Sequence, residues 1–153
     1  MAKRVINGVA EMKELVGQEV GVSEWVEVTQ QRIDQFAQAT GDNQWIHTDV
    51  ERCRRESPHG MTIAHGYLTI ALTPALVDEV IQIQGMRMGV NYGMNKLRFT
   101  APVPVGSRIR VRVTLKGVRE IGGAIQTVTH LSVEREGQDK PCCVAETLSL
   151  YYP

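Results

Sequence analysis

The sequence predicts an α+β domain in which an antiparallel sheet packs on one long apolar helix. Three observations carry that expectation. Residues 64–83 hold apolar side chains at helical spacing, residues 108–152 alternate in two-residue periods, and turn-forming residues separate those alternating runs. A helix and a sheet that each have an apolar face bury both by packing together.

The elements follow in order along the chain. Val20, Val22, Val26 and Val28 share one parity, with Glu24 between them, which predicts a first strand over 19–28. Ile33, Phe36, Ala37 and Thr40 then fall at helical spacing, with Thr29 as N-cap and Gly41 as stop. A short charged helix is expected from His47 to Ser57, ended by Pro58. The long helix follows over 64–83. Leu68, Leu72, Leu76, Val80 and Ile83 lie close to one stripe, and Val77 widens it. Pro74 inside it removes a backbone donor and should bend the helix or start a new turn.

The remainder is strand. A strand is expected over Val90 to Phe99, with Pro102 and Pro104 in the loop after it. Ile109, Val111, Val113 and Leu115 alternate with Arg108, Arg110, Arg112 and Lys116. Gly122-Gly123 predicts a hairpin turn into Ile125, Thr127, Thr129, Leu131 and Val133. The cluster Glu136-Gly137-Gln138-Asp139 turns the chain into a last strand at about 142–152, completing a meander. No repeat, linker or low-complexity segment interrupts the 153 residues, so one domain is expected over 1–153.

Composition narrows the function. Lys plus Arg number 17, as do Asp plus Glu, so the formal net charge is zero. A nucleic-acid partner would call for a concentrated basic face, and none is visible. There is no apolar signal segment after Met1-Ala2-Lys3-Arg4 and no run long enough to span a bilayer, so a cytoplasmic protein with no membrane partner is expected. Cys53, Cys142 and Cys143 lack metal-binding spacing and read as buried apolar fillers.

Two short stretches could carry chemistry. In Gly41-Asp42-Asn43-Gln44-Trp45-Ile46-His47, a carboxylate and an imidazole lie five residues apart, just past a helix stop. Burial beside Trp45 and Ile46 would raise the Asp42 pKa towards neutrality, where His47 already titrates. The competing reading is an Asx-turn aspartate and a surface histidine. His47-x-Asp49 supplies too few ligands for a metal. In Ile63-Ala64-His65-Gly66-Tyr67-Leu68, the apolar helix begins; its first amides lack intrahelical partners and can hold an oxyanion. Alone, that stretch is an ordinary helix start. Arg52, Arg54 and Arg55 form a basic cluster on the short helix, either a solvated face or a contact for phosphates. His59 has no assigned role, and His130 is expected to face outward from its strand.

Together these residues resemble the MaoC-like hydratases and dehydratases of the hot-dog superfamily, closest to the NodN-like branch. The likeness is carried by Phe36-Ala37, Thr40-Gly41-Asp42, Ile46-His47-x-Asp49, Ile63-Ala64-His65-Gly66-x-Leu68, Asn91-Tyr92-Gly93, Arg98-Phe99 and Pro102-Val103-x-Val105-Gly106. It covers about residues 17 to 151. Trp45 stands where the family most often has proline, and Gln44 where it often has asparagine.

The resemblance implies a single hot-dog fold, an antiparallel sheet wrapped around a long central helix. It implies reversible addition of water to a trans-2-enoyl thioester, giving an (R)-3-hydroxyacyl thioester. Asp42 and His47 match the catalytic pair, and Gly66 the oxyanion-donating amide. Gln44, Trp45, Ile46, Ala64, His65, Tyr67, Asn91 and Tyr92 are the expected substrate-binding residues, and His65 is further expected to orient the turn. No metal and no cofactor are expected beyond coenzyme A as part of the substrate. The partners are an acyl-CoA or acyl-carrier-protein thioester and a second copy of the chain, with the site near the boundary of a homodimer or larger assembly. The serine that R-specific hydratases place near the aspartate has no counterpart; Pro74 stands there, with Thr73 beside it. Two rival activities remain open at this point: an acyl-CoA thioesterase, and a non-catalytic protein that binds acyl thioesters.

Overall fold

The computed structural model describes residues 3–153. A six-stranded sheet is built from β2 (Glu19–Val22), β3 (Val26–Glu27), β5 (Met88–Arg98), β6 (Arg108–Ile121), β7 (Ala124–Arg135) and β8 (Cys143–Tyr152). Its order is β2-β6-β7-β8-β5, with β3 also paired to β6, and every pairing is antiparallel. The long helix α5 (Gly66–Val80) packs against β6 and β2. This is the expected hot-dog arrangement. Val111, Val113, Leu115, Leu131, Val133 and Ala145 share a common buried cluster with Leu68, Leu76 and Val80, and each such Val or Leu side chain contributes about 1.5–3 kcal/mol by leaving water.

Local chemistry explains the element ends. Gly122 and Gly123 both have positive φ, at 53° and 80°, which fits the two-residue turn joining β6 to β7. Helix α2 (Gln30–Thr40) is capped by the Thr29 side chain, which accepts from the Arg32 amide at 3.2 Å, and stops at Gly41 in the left-handed conformation. His130 pairs with Thr114 and Glu146 on the sheet face opposite Leu131 and Val133, where it is half-buried. Cys53, Cys142 and Cys143 are all buried and unbridged; burial pushes the Cys142 and Cys143 thiols up to about 11 and about 12.

Three expectations need correction. The single strand over 19–28 is two strands, because Ser23 turns the chain. Its backbone donates to the Val111 carbonyl while its hydroxyl oxygen accepts from the Val111 amide, both at 2.9 Å, replacing a regular ladder step. The short helix is also two: α3 (Trp45–Thr48) and α4 (Val50–Glu56), parted at Asp49, whose carboxylate caps α4 through the Arg52 amide. Third, the long helix begins at Gly66 and ends at Val80. Ile81 is extended, and Ile81–Ile83 forms β4, which pairs in parallel with β1 (Arg4–Ile6).

Pro74 lies inside α5, which runs unbroken through it, so of the two outcomes expected no new element starts there. Proline cannot donate to the Ile70 carbonyl, but the Thr73 hydroxyl does so at 2.7 Å. Two elements went unpredicted, β1 and the helix α1 (Gly8–Glu14), which buries Met12. Val9, Met12 and Val16 at helical spacing were the available signal for α1.

Ser23→Ala leaves the buried Val111 amide without its acceptor. Urea unfolding should lose about 1–3 kcal/mol at an unchanged slope; a midpoint equal to that of the parent chain would contradict the role given to Ser23.

Candidate active site

The site forms where the end of α2, the short α3 and the start of α5 meet. An extended segment, Thr62–His65, runs between them. Ala64 donates to the Val103 carbonyl at 2.8 Å and Val105 to the Thr62 carbonyl at 2.9 Å, so the segment is fixed to the loop before β6. On its other side, Ile63 donates to the Ile46 carbonyl at 3.0 Å. The His47 ring closes the same link: its Nδ1 lies 2.7 Å from the Ile63 carbonyl oxygen. A carbonyl only accepts, so Nδ1 carries the proton and the neutral ring keeps its lone pair on Nε2.

His47 is 7% exposed. Burial is the largest influence on its pKa and holds it below the ordinary 6.5; the bond to the Ile63 carbonyl opposes this, His65 adds to it and Asp42 opposes it. His47 is therefore neutral at pH 7, as a general base must be.

His65 precedes the first residue of α5 and is 2% exposed. Its ring stacks on His47 with centroids 3.8 Å apart and 24° between planes, and Phe36 covers it at 4.9 Å. Its Nε2 lies 3.0 Å from the Asp42 carbonyl oxygen and, by the same reasoning, donates to it. That leaves Nδ1 as a buried acceptor with no partner among the described residues. Such an orphan costs on the order of 1–3 kcal/mol.

Asp42, His47 and His65 thus come together, each offering a ligand atom within 4.8 Å of the others. Two hydrogen bonds of about 2.8 Å span roughly 4.6 Å across one oxygen, so one water can bridge groups this close. Asp42 itself is exposed, contrary to the expected burial, so the dry environment invoked for its carboxyl is not supplied by this chain alone.

The remaining expected residues divide. Gly66 is the first residue of α5, where geometry denies its amide an intrahelical acceptor. A Cβ there would sit 2.7 Å from the Phe99 ring, so any other residue would have to displace that ring. Gln44 is exposed; its amide approaches the Asp42 carboxylate at 3.4 Å and its carbonyl accepts from His47 at 3.0 Å. Ile46 and Ala64 hold the backbone links just described. Trp45 is half-buried beneath the Arg52 guanidinium at 4.1 Å. Tyr67 is 68% exposed and meets Phe99 edge-on at 6.0 Å. Asn91 and Tyr92 lie on β5, the outer strand of the sheet, outside the cluster around His47.

Three features of the site were not read from sequence. Gln30 donates to the His47 carbonyl at 2.8 Å and accepts from the buried Thr62 hydroxyl, tying the start of α2 to α3 and to the extended segment. Phe99 covers Gly66. Thr73 serves the helix backbone at Ile70 and does not stand in for the serine near Asp42. In the arginine cluster, Arg52 pairs with Glu56 at 2.8 Å and Arg54 with Glu51 at 3.2 Å, all well exposed, which favours the solvated face.

Comparison with known proteins shows the family. Residues 11–137 match the MaoC like domain. The chain is 47% identical to 3-hydroxyacyl-thioester dehydratase Z of Mycobacterium tuberculosis, over 97% of this chain and 98% of the relative. It is 41% identical to nodulation protein N of Rhizobium leguminosarum bv. viciae, over 92% and 89%. A solved structure of a monoamine oxidase regulatory protein from Archaeoglobus fulgius superposes with a TM-score of 0.78 at 21% identity, covering 100% of this chain and 99% of that one, and so shares the fold. The chain belongs to the MaoC-like domain family.

Proposed function

We propose that this protein is a hydro-lyase that reversibly adds water to a trans-2-enoyl thioester, giving an (R)-3-hydroxyacyl thioester. The observation that carries this reading is a neutral His47, its Nδ1 bonded to the Ile63 carbonyl, with a ring nitrogen within 4.8 Å of an Asp42 carboxylate oxygen. The helix start at Gly66 lies one residue from His65. The relative with 47% identity is named a 3-hydroxyacyl-thioester dehydratase, which supports the same reaction class.

In the hydration direction, the water oxygen attacks C3 while one of its protons passes to the Asp42/His47 pair. The C2–C3 π electrons move to the thioester oxygen, where the Gly66 amide and the helix dipole stabilise the enolate. The enolate then collapses and C2 takes a proton back from the pair, so the net addition is one water. Dehydration is the same path reversed. The two acid–base groups act as one coupled unit. Coenzyme A or an acyl-carrier-protein arm enters as part of the substrate, and no separate cofactor takes part. A coenzyme A substrate fits a cytoplasmic location, and among the described residues no helix is long and apolar enough to cross a membrane.

The working unit we infer is a homodimer. Strand β5 is an edge of the sheet, 11 residues long, and all of it except Leu97 is exposed, including Met88, Val90, Tyr92 and Met94. Beside it, an open groove of about 690 Å³ separates β5 from Ala71, Pro74 and Val77 of α5. An exposed edge of this length calls for pairing. Antiparallel pairing with the β5 of a second copy would continue the sheet and bring the partner's surface over the open side of the site.

Asp42→Asn keeps the shape and removes the carboxylate. It should lower the rate of crotonyl-CoA hydration by roughly 100- to 10,000-fold, and the acid limb of the parent profile should fall below 6.5, where His47 takes a proton. An Asn variant as fast as the parent would refute the mechanism. Sedimentation at micromolar concentration should give a dimer, shifted towards monomer by Val90→Lys on the edge; a parent chain found only as monomer would contradict the assembly.

A further inference from the structure

We infer that His65 is the positioning residue of this site, fixing Asp42 and His47 relative to one another in place of the absent serine. This rests on the reading of Asp42, His47 and Gly66 as the reacting groups. One residue is joined to every part of that machinery. The His65 Nε2–H holds the Asp42 main chain at 3.0 Å, its ring face lies on His47 at 3.8 Å, and its own backbone leads directly into Gly66.

Asp42 needs such a support. It sits in the short connection between α2 and α3, and its other links are weak: its amide to the Thr40 hydroxyl and its carboxylate to the Gln44 amide, each at 3.4 Å. Thr73, the neighbour of the position where the serine is missing, is committed to the Ile70 carbonyl. The strongest link between Asp42 and α5 is therefore the imidazole of His65.

Burial supports a role beyond packing. His65 is 2% exposed and leaves Nδ1 unsatisfied. A phenylalanine beside Phe36 could fill that space without a stranded acceptor, so stability alone does not call for histidine here. What histidine adds is a donor aimed at Asp42 and a flat face against His47.

The test compares two variants on crotonyl-CoA. His65→Phe keeps a ring and removes the donor. Its kcat should fall on the order of 100-fold with KM little changed, since displacement of a reacting group by about 1 Å costs that much, and its thermal midpoint should not fall in step. His65→Gln, whose side-chain amide can reach the Asp42 carbonyl, should recover kcat to within about tenfold of the parent. A Phe variant with parental kcat, or Gln and Phe variants equally impaired, would overturn the inference. Imidazole ¹⁵N spectra of the parent protein give a second reading without turnover. The inference expects the Nε2–H tautomer at His65 and the Nδ1–H tautomer at His47; an Nδ1–H tautomer at His65 would overturn it. A parent protein inactive on every enoyl thioester would instead sink the functional reading, and the tautomers would still report whether His65 anchors Asp42.

Discussion

The hydrogen bond from His47 Nδ1 to the Ile63 carbonyl, at 2.7 Å, is the constraint around which the site is organised. It fixes the tautomer of His47, the plane of its ring and the direction of the Nε2 lone pair. It holds only because Thr62–His65 is extended and tied to residues 103–105 on one side and to Ile46 on the other. The same extended segment ends at His65 and begins α5, so the oxyanion donor and the base are set by one stretch of chain. Gln30 of α2 buttresses it through Thr62 and the His47 carbonyl, which explains why residues far from the chemistry in sequence belong to it in space.

The long helix satisfies a second constraint. It must be apolar nearly all round, because it faces the sheet on one side and an open groove on the other. A proline within it would leave the Ile70 carbonyl unpaired, and the Thr73 hydroxyl supplies the missing donor. The Thr73 hydroxyl, beside the position where the family resemblance implies a serine near Asp42, is thereby committed to the helix backbone. Support for Asp42 comes instead from the buried imidazole of His65, reached from the opposite end of the same helix.

Much of this was legible in the sequence, for identifiable reasons. The meander could be read because Ile109 to Leu115 and Ile125 to Val133 alternate strictly, and the glycine pair between them allows a tight turn. The pairing of Asp42 with His47, and the start of α5 near Gly66, followed from local spacing and the family likeness. What stayed hidden depends on contacts between distant segments. Ser23 breaks a strand through a bond to Val111, 88 residues away, and nothing near Ser23 announces it. Ile81–Ile83 continues the helical stripe in sequence but pairs with Arg4–Ile6 in space. The stacking of His65 on His47 could not be read either, since neither histidine has a neighbour that reveals the other. The burial expected for Asp42 failed as well: Trp45 packs beneath Arg52, and the carboxylate is open to solvent in a single chain.

The central claim is that water is directed at C3 of an enoyl thioester and not at its carbonyl carbon. Turnover of crotonyl-CoA in H₂¹⁸O tests this directly. The account predicts ¹⁸O in the 3-hydroxyl group of a product whose thioester is intact. Appearance of ¹⁸O in a free carboxylate, with release of the coenzyme A thiol, would contradict it and identify a thioesterase.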